Sequence, residues 1–303
     1  MRKILGIQKK SVLLFLQVTI TLAFLYLTFR NTQVDQLTNS FMAVNYWILS
    51  LTLVPQFVSL FLLAAREKYL LNKIFPFQFR DLIKGVVISF IGNNILPLRG
   101  GEFLKVLFWK KRSGHAYVSL LSVALIERLL DLVCLVALFF VGSQVILLQM
   151  GVKIRWVLLI FFGVLLLIAM LIFMDYRRQK QFKLHIKNIC YALCYTIAYW
   201  VMNLLGLFIM LYAFHLNVSW QETVVVLLAT SFGVAIPAAP GNIGTYDYFA
   251  KMGLVFYGVN ASVATSFAIV SHVISVVPFT IFGILFVYPQ IRRLRCGPWS
   301  LYD

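Results

Sequence analysis

Arg99, Gly100, Gly101 and Glu102 form a charged, helix-breaking step within apolar sequence, and such a step suits the binding of an anion. A guanidinium such as that of Arg99 matches phosphate oxygens at two points. A short helix starting near Gly101 would turn free N–H groups and a positive dipole end toward the same anion. The glycines let backbone approach a ligand or a neighbouring helix closely. The alternative is that Arg99 and Glu102 neutralise each other or a neighbour, because an isolated charge at membrane depth is costly. A second group is Glu127, Arg128 and Asp131. Glu127 and Asp131 share a helix face at i, i+4, and Arg128 neighbours Asp131 at i, i+3. Arg128, with Arg99, could contact the anion while Glu127 and Asp131, like Glu102 and Asp247, balance charge or carry a coupled proton; the alternative for this group is a buried structural ion pair. A third group surrounds another break and contains Pro237, Pro240, Gly241, Gly244, Thr245 and Asp247. Thr245 fits the N-cap of a returning short helix, and Asp247 in its first turn suits the dipole, as a cap or as a ligand contact. His272 is a candidate proton relay, with a packing hydrogen bond as the simpler role. Gln56 and Asn203 fall mid-span and read as interhelical hydrogen-bond partners.

Other chemistries find no footing. The chain has no G-x-x-x-x-G-K-[ST], no H-E-x-x-H and no G-x-S-x-G, so neither direct ATP use nor a hydrolytic triad is supported. Neither a metal nor a cofactor is expected. Cys134, Cys190, Cys194 and Cys296 show no disulfide or zinc spacing. Cys190 and Cys194, one helical turn apart in an apolar run, read as small packing residues.

The elements that position these groups are membrane helices. Hydrophobic residues make up 61% of the 303-residue chain and charged residues 12%, against about 25% charged in a soluble domain. Apolar runs fall at about 11–29, 46–65, 82–98, 103–109, 116–149, 156–174, 189–213, 223–239, 244–258 and 260–288. Most approach the roughly 20 residues that cross ~30 Å of hydrocarbon. The net charge of +17 is no sign of nucleic acid, because the basic residues cluster between apolar runs. Clusters at 2–10, 66–84, 105–112, 177–187 and 292–295 hold 21 of the 27 Lys and Arg residues, while the remaining linkers hold Arg30, Lys153, Arg155 and Lys251. That asymmetry puts both termini in the cytoplasm of a multi-pass protein of the cytoplasmic membrane. The first run is too long for a signal peptide and lacks a small-residue cleavage site, so it reads as a retained helix.

Residues 82–109 have basic clusters on both flanks and a break at Pro97 to Glu102, so a re-entrant hairpin of two short helices is expected there. Residues 223–258, broken between Pro237 and Gly244, form its counterpart from the other side. A shift of about 143–145 residues lays 1–150 on 151–290. The expected fold is one all-α transmembrane domain over 1–303, an inverted repeat of six full crossings and two opposed hairpins. Trp47, Trp109, Trp156 and Trp220, at the ends of runs, read as interfacial anchors.

Leu98-Arg99-Gly100-Gly101-Glu102, Glu127-Arg128-x-x-Asp131 and Ala239-Pro240-Gly241-Asn242-Ile243-Gly244-Thr245, in that order, resemble the lysylphosphatidylglycerol synthase transmembrane region family of flippase-like membrane proteins. The family pattern has a glycine where Asn242 stands. The resemblance implies handling of a membrane lipid, such as an anionic phospholipid or a polyprenyl phosphate, and no aminoacyl transfer, since no synthase domain is expected beyond Asp303. The combined expectation is a flippase-like transporter with the headgroup held between the two hairpin tips. The other class is a lipid-modifying enzyme or an accessory subunit of a membrane-associated transferase such as a glycosyltransferase, with the carboxylates in acid–base roles.

Overall fold

Backbone polar groups in hydrocarbon must find partners within their own segment, which favours helices, and among the described residues every element is helical. The computed structural model describes residues 2–71, 75–96, 100–150, 163 and 186–295. Arg99 and nearly all of the run 156–174 lie outside them. Helix α1 spans Arg2–Phe29, followed by α2 (Val34–Met42), a short surface helix that the apolar runs did not indicate. The run 46–65 becomes α3 (Tyr46–Leu51) and α4 (Leu53–Leu71). They part at Thr52, because Pro55 has no N–H for the Leu51 carbonyl and its ring crowds that group. Helix α4 continues past the apolar run to Leu71, carrying Arg66 and Glu67 into the interior.

The two breaks fold back as expected from the Pro and Gly residues. Helices α5 (Phe79–Ile95) and α6 (Gly101–Ser113) form the first helical hairpin. Their antiparallel seam is made by glycines: a Cβ on Gly92 would stand 2.4 Å from Gly101 Cα, and one on Gly85 would stand 2.7 Å from Trp109 Nε1. Trp109 is therefore fully buried against Gly85, not anchored at an interface. The open end of the hairpin is clamped by Asp81, which accepts from Lys84 Nζ at 3.2 Å and Arg112 Nε at 3.1 Å. Helix α7 (Tyr117–Met150) and α8 (Ile186–Ala213) come next in the described chain. The second hairpin consists of α9 (Trp220–Ala235), a 3-10 turn at Pro240–Asn242, and α10 (Thr245–Val255). Helix α9 starts in a reciprocal cap, with Ser219 Oγ accepting from Glu222 N–H and Glu222 Oε2 accepting from Ser219 N–H. Helix α11 (Ala261–Arg295) ends the described chain.

Packing interleaves the halves. Helices α4 and α8 lie side by side, with Tyr69 stacked on Tyr191 and Tyr195. The first helix of each hairpin packs on a long helix from the other half. Phe90 of α5 stacks on Phe279 of α11, and Gly142 of α7 admits Val224 and Val225 of α9. Among the described residues, Tyr46–Leu71, Ile186–Ala213 and Ala261–Phe286 are long and apolar enough to cross a membrane. Cys190 and Cys194 occupy the exposed face of α8, so they are not packing residues; Cys134 is buried.

Candidate functional site

The first charged group assembles where α4, α6 and α7 meet. Helical periodicity turns Glu127 inward and Arg128 about 100° further round, so adjacent residues serve different surroundings. Glu127 Oε2 accepts from Lys105 Nζ at 2.6 Å and from Arg66 Nη2 at 3.4 Å. Lys105 Nζ also reaches Glu67 Oε1 at 3.0 Å and Glu102 Oε2 at 3.1 Å, placing one ammonium among three carboxylates. Arg66 Nη1 donates to Asp131 Oδ1 at 2.8 Å. Arg128 pairs with Glu102 Oε1 through Nη2, and its Nη1 lies 3.5 Å from Asp131 Oδ2. Ser89 Oγ donates to Glu102 Oε1 at 3.0 Å, tying α5 to the same network. Arg66, Glu67, Lys105 and Glu127 are at most 4% exposed, whereas the Arg128 side chain is 43% exposed. Arg128 is thus the cation of this group that a ligand can reach.

The expected roles shift in detail. Gly100 caps α6, and the Gly101 N–H donates to Asn93 Oδ1 at 3.0 Å. One donor of the proposed anion site is therefore taken by α5, and Gly101 serves close helix contact. Arg66 and Lys105, counted among cytoplasmic cluster charges, belong to the buried network, as does Glu67. Their spacing held a signal: Lys105 follows Glu102 at i, i+3, so both face the same side. Asn203 Nδ2 donates to the Tyr199 carbonyl of its own helix, and Gln56 Oε1 has no partner among the described residues. Among the described residues neither forms the interhelical bond expected of it.

The second group is built at the tip of the α9–α10 hairpin. The N-cap of α10 is Gly244, not Thr245, because the backbone there has φ +86° and the carbonyl of Thr21 stands 2.8 Å from where a Cβ would lie. Thr245 begins the helix, its Oγ1 donating to the Asn242 carbonyl at 3.2 Å. Asn242 itself has φ +58°, a left-handed conformation that Asn tolerates and that glycine adopts freely. Pro240 opens the turn, and Gly241 follows at φ +74°. Asp247 Oδ2 accepts from the Gly244 N–H at 2.9 Å, while Oδ1 lies 2.9 Å from His272 Nδ1. His272 Nε2 faces the Gly241 carbonyl at 2.8 Å. Both ring nitrogens meet acceptors, an arrangement that an imidazolium satisfies at once. Lys251, counted as a linker charge, is buried and donates to the Thr28 carbonyl at 2.5 Å.

The two groups match in placement. Glu102 near the start of α6 meets Arg128, eleven residues into α7; Asp247 near the start of α10 meets His272, eleven residues into α11. The tips approach each other, and a Cβ on Gly241 would stand 3.8 Å from the Asn94 carbonyl oxygen at the end of α5.

Beside the first group lies a cavity of about 480 Å³ between α4, α7, α8 and α9, edged by Tyr246 and Ser275. Its lining is mixed. Along α7 it includes Arg128, Asp131, Leu132 and Leu135, and along α8 Tyr199, Asn203, Leu207 and Met210, while α4 and α9 add Gln56, Ser59, Thr230 and Ser231. A smaller cleft of about 70 Å³ holds Arg66, Glu67, Glu102 and Lys105 and shares Arg128 and Asp131 with the large cavity. Asp247 and His272 do not line the large cavity, and among the described residues no His, Cys, Asp or Glu cluster could hold a metal.

A family model described as the lysylphosphatidylglycerol synthase TM region matches residues 14–283. A UPF0104 membrane protein of Methanocaldococcus jannaschii is 24% identical over 226 residues, covering 68% of this chain and 97% of its own. A UPF0104 membrane protein of Methanothermobacter thermautotrophicus is 24% identical over 254 residues, 70% of this chain and 74% of its own. With the match reaching across both hairpins and the long apolar helices between them, the chain belongs to the lysylphosphatidylglycerol synthase TM region family of multi-pass membrane proteins.

Proposed function

We propose that this protein is a flippase-like transporter that moves a lipid with an anionic headgroup between the leaflets of the cytoplasmic membrane. The observation that carries the reading is the cavity of mixed polar and apolar lining with Arg128 on its wall. Arg128 suits a phosphate, and the Leu132, Leu135, Leu207 and Met210 side chains suit the first part of the lipid tails, which continue into the bilayer. Ligand pockets of about 300–1,000 Å³ are usual for small molecules, and 480 Å³ admits a headgroup but not whole acyl chains. The buried carboxylates and cations behind Arg128 hold it in place and offer a set of groups through which a proton could be coupled. In this reading the chain is an inverted repeat of six crossings with two re-entrant hairpins and both termini in the cytoplasm. The reciprocal packing of each hairpin on the other half supports it, and so does the matched placement of Glu102–Arg128 and Asp247–His272. Opposed broken helices meeting at their tips are a common transporter arrangement. Reporters fused to each terminus are expected to read out in the cytoplasm.

The test is lipid translocation in proteoliposomes, wild type beside Arg128→Gln. Labelled anionic phospholipids and polyprenyl phosphates are offered and their leaflet accessibility is followed. The variant should fold, because Glu102 keeps Lys105 and Ser89 and Asp131 keeps Arg66. Translocation should fall at least about tenfold, the worth of one charge-assisted contact. Wild-type rates in the variant would remove Arg128 from the pathway. A lipid chemically altered by wild-type protein, with none moved, would favour the enzyme class.

A further inference from the structure

We infer that the cavity selects a lipid whose phosphate bears a neutral, hydroxylated headgroup of glycerol or sugar type, and disfavours a cationic headgroup. The inference rests on the transport reading only in taking the cavity to be where the lipid sits. Among the described residues the cavity wall carries two charges, Arg128 and Asp131. Asp131 is already bonded to Arg66 at 2.8 Å and lies 3.5 Å from Arg128. Among the described residues no further carboxylate lines the wall to meet an ammonium, and Arg128 would repel one. Burying a cation without a partner is expensive.

The other polar groups of the wall are neutral, and most present acceptors. Thr230 and Ser231 donate their hydroxyl protons to the Leu227 carbonyl, and Ser275 donates to that of His272. Asn203 uses its amide N–H on Tyr199. The oxygens of these side chains remain able to accept. Two buried atoms of lining residues have no hydrogen-bond partner among the described residues: Gln56 Oε1, an acceptor, and Trp200 Nε1, a donor. Buried polar groups are normally paired. A wall that offers side-chain oxygens together with the amide N–H groups of Asn203 and Gln56 is complementary to hydroxyl groups, which donate and accept. An ammonium donates only, so it cannot meet those N–H groups.

The experiment is lipid binding to the purified full chain in detergent, by competition against labelled phosphatidylglycerol. Phosphatidylinositol, phosphatidic acid, phosphatidylethanolamine and lysyl-phosphatidylglycerol serve as competitors. Phosphatidylglycerol and phosphatidylinositol should compete about tenfold better than the two lipids that carry an ammonium. Ser231→Ala and Asn203→Leu should each weaken phosphatidylglycerol about three- to tenfold, the worth of one hydrogen bond, and leave phosphatidic acid unchanged. Ser231→Ala is small enough to be accepted even where Asn203→Leu misfolds. Equal competition by lysyl-phosphatidylglycerol, or equal losses for phosphatidic acid, would overturn the inference and leave the translocation result standing. Retained preference without translocation would do the reverse, keeping the headgroup assignment and removing the transporter.

Discussion

Replacing Lys105 with methionine is expected to destabilise the protein by about 3–5 kcal/mol, the cost of stranding buried charges by removing their partner. Lys105 Nζ lies within 3.1 Å of oxygens on Glu67, Glu102 and Glu127. Glu67 and Glu127 are about 1% exposed, so no water can take over from the ammonium. Methionine keeps most of the length and flexibility of the stem, so the change isolates the charge, including the ammonium's contact with the Trp109 ring at 4.9 Å. Thermal unfolding in detergent reads the effect. Lys68→Met is the control: it removes the same charge from an exposed position on α4 and should stay within about 0.5 kcal/mol of wild type. Adding Glu67→Gln to the Lys105 variant removes one of the stranded charges and should recover part of the loss. A double variant no more stable than the single would show that packing, not charge, explains the result.

The same cluster shows what the sequence could and could not tell. Glu127, Arg128 and Asp131 stood out because they interrupt a long apolar run, and Glu102 because it follows a helix break. All four meet in the structure. The breaks themselves were legible, since Pro and Gly leave few alternatives to a fold-back. Arg66, Glu67 and Lys105 were not, because a Lys or Arg at the end of an apolar run looks like a solvated loop charge. Only helix rotation and the neighbouring α4, α6 and α7 decide that they point inward. Lys251 was hidden for the same reason, and Trp109 because its burial depends on Gly85 across the hairpin. The Asp247–His272 pair was half visible. The shift of about 143–145 residues lays His272 on the region of Arg128, but nothing in the spacing says that each bonds the acid at the start of its hairpin's second helix. The cavity was out of reach altogether, since its walls come from helices far apart in the chain.

Gly101→Ala should be the most damaging alanine substitution among the described glycines, at about 3 kcal/mol or more. Overpacking by a single methyl group ordinarily costs about 1–3 kcal/mol, but here the obstacle is rigid. The new Cβ would lie 1.9 Å from the Ser89 carbonyl oxygen and 2.5 Å from the Asn93 backbone nitrogen. Main-chain atoms inside α5 cannot rotate away as a side chain would, so α5 and α6 must separate. Separation also breaks the Asn93–Gly101 hydrogen bond and draws Glu102 from Ser89 and Arg128. Gly114→Ala provides the comparison. Gly114 is left-handed at φ +70° with nothing within 4 Å of its missing Cβ, so alanine there costs only the backbone strain of about 1–2 kcal/mol. The ranking separates two roles for Gly101. If it serves helix contact, the alanine variant loses thermal stability and folded yield, and whatever folds binds lipid poorly because Glu102 no longer positions Arg128. If it serves backbone approach to a headgroup, the variant melts with wild type and loses only binding. The geometry of the seam requires the first result, and a variant as stable as Gly114→Ala would mean that α5 and α6 are not packed as closely as the seam demands.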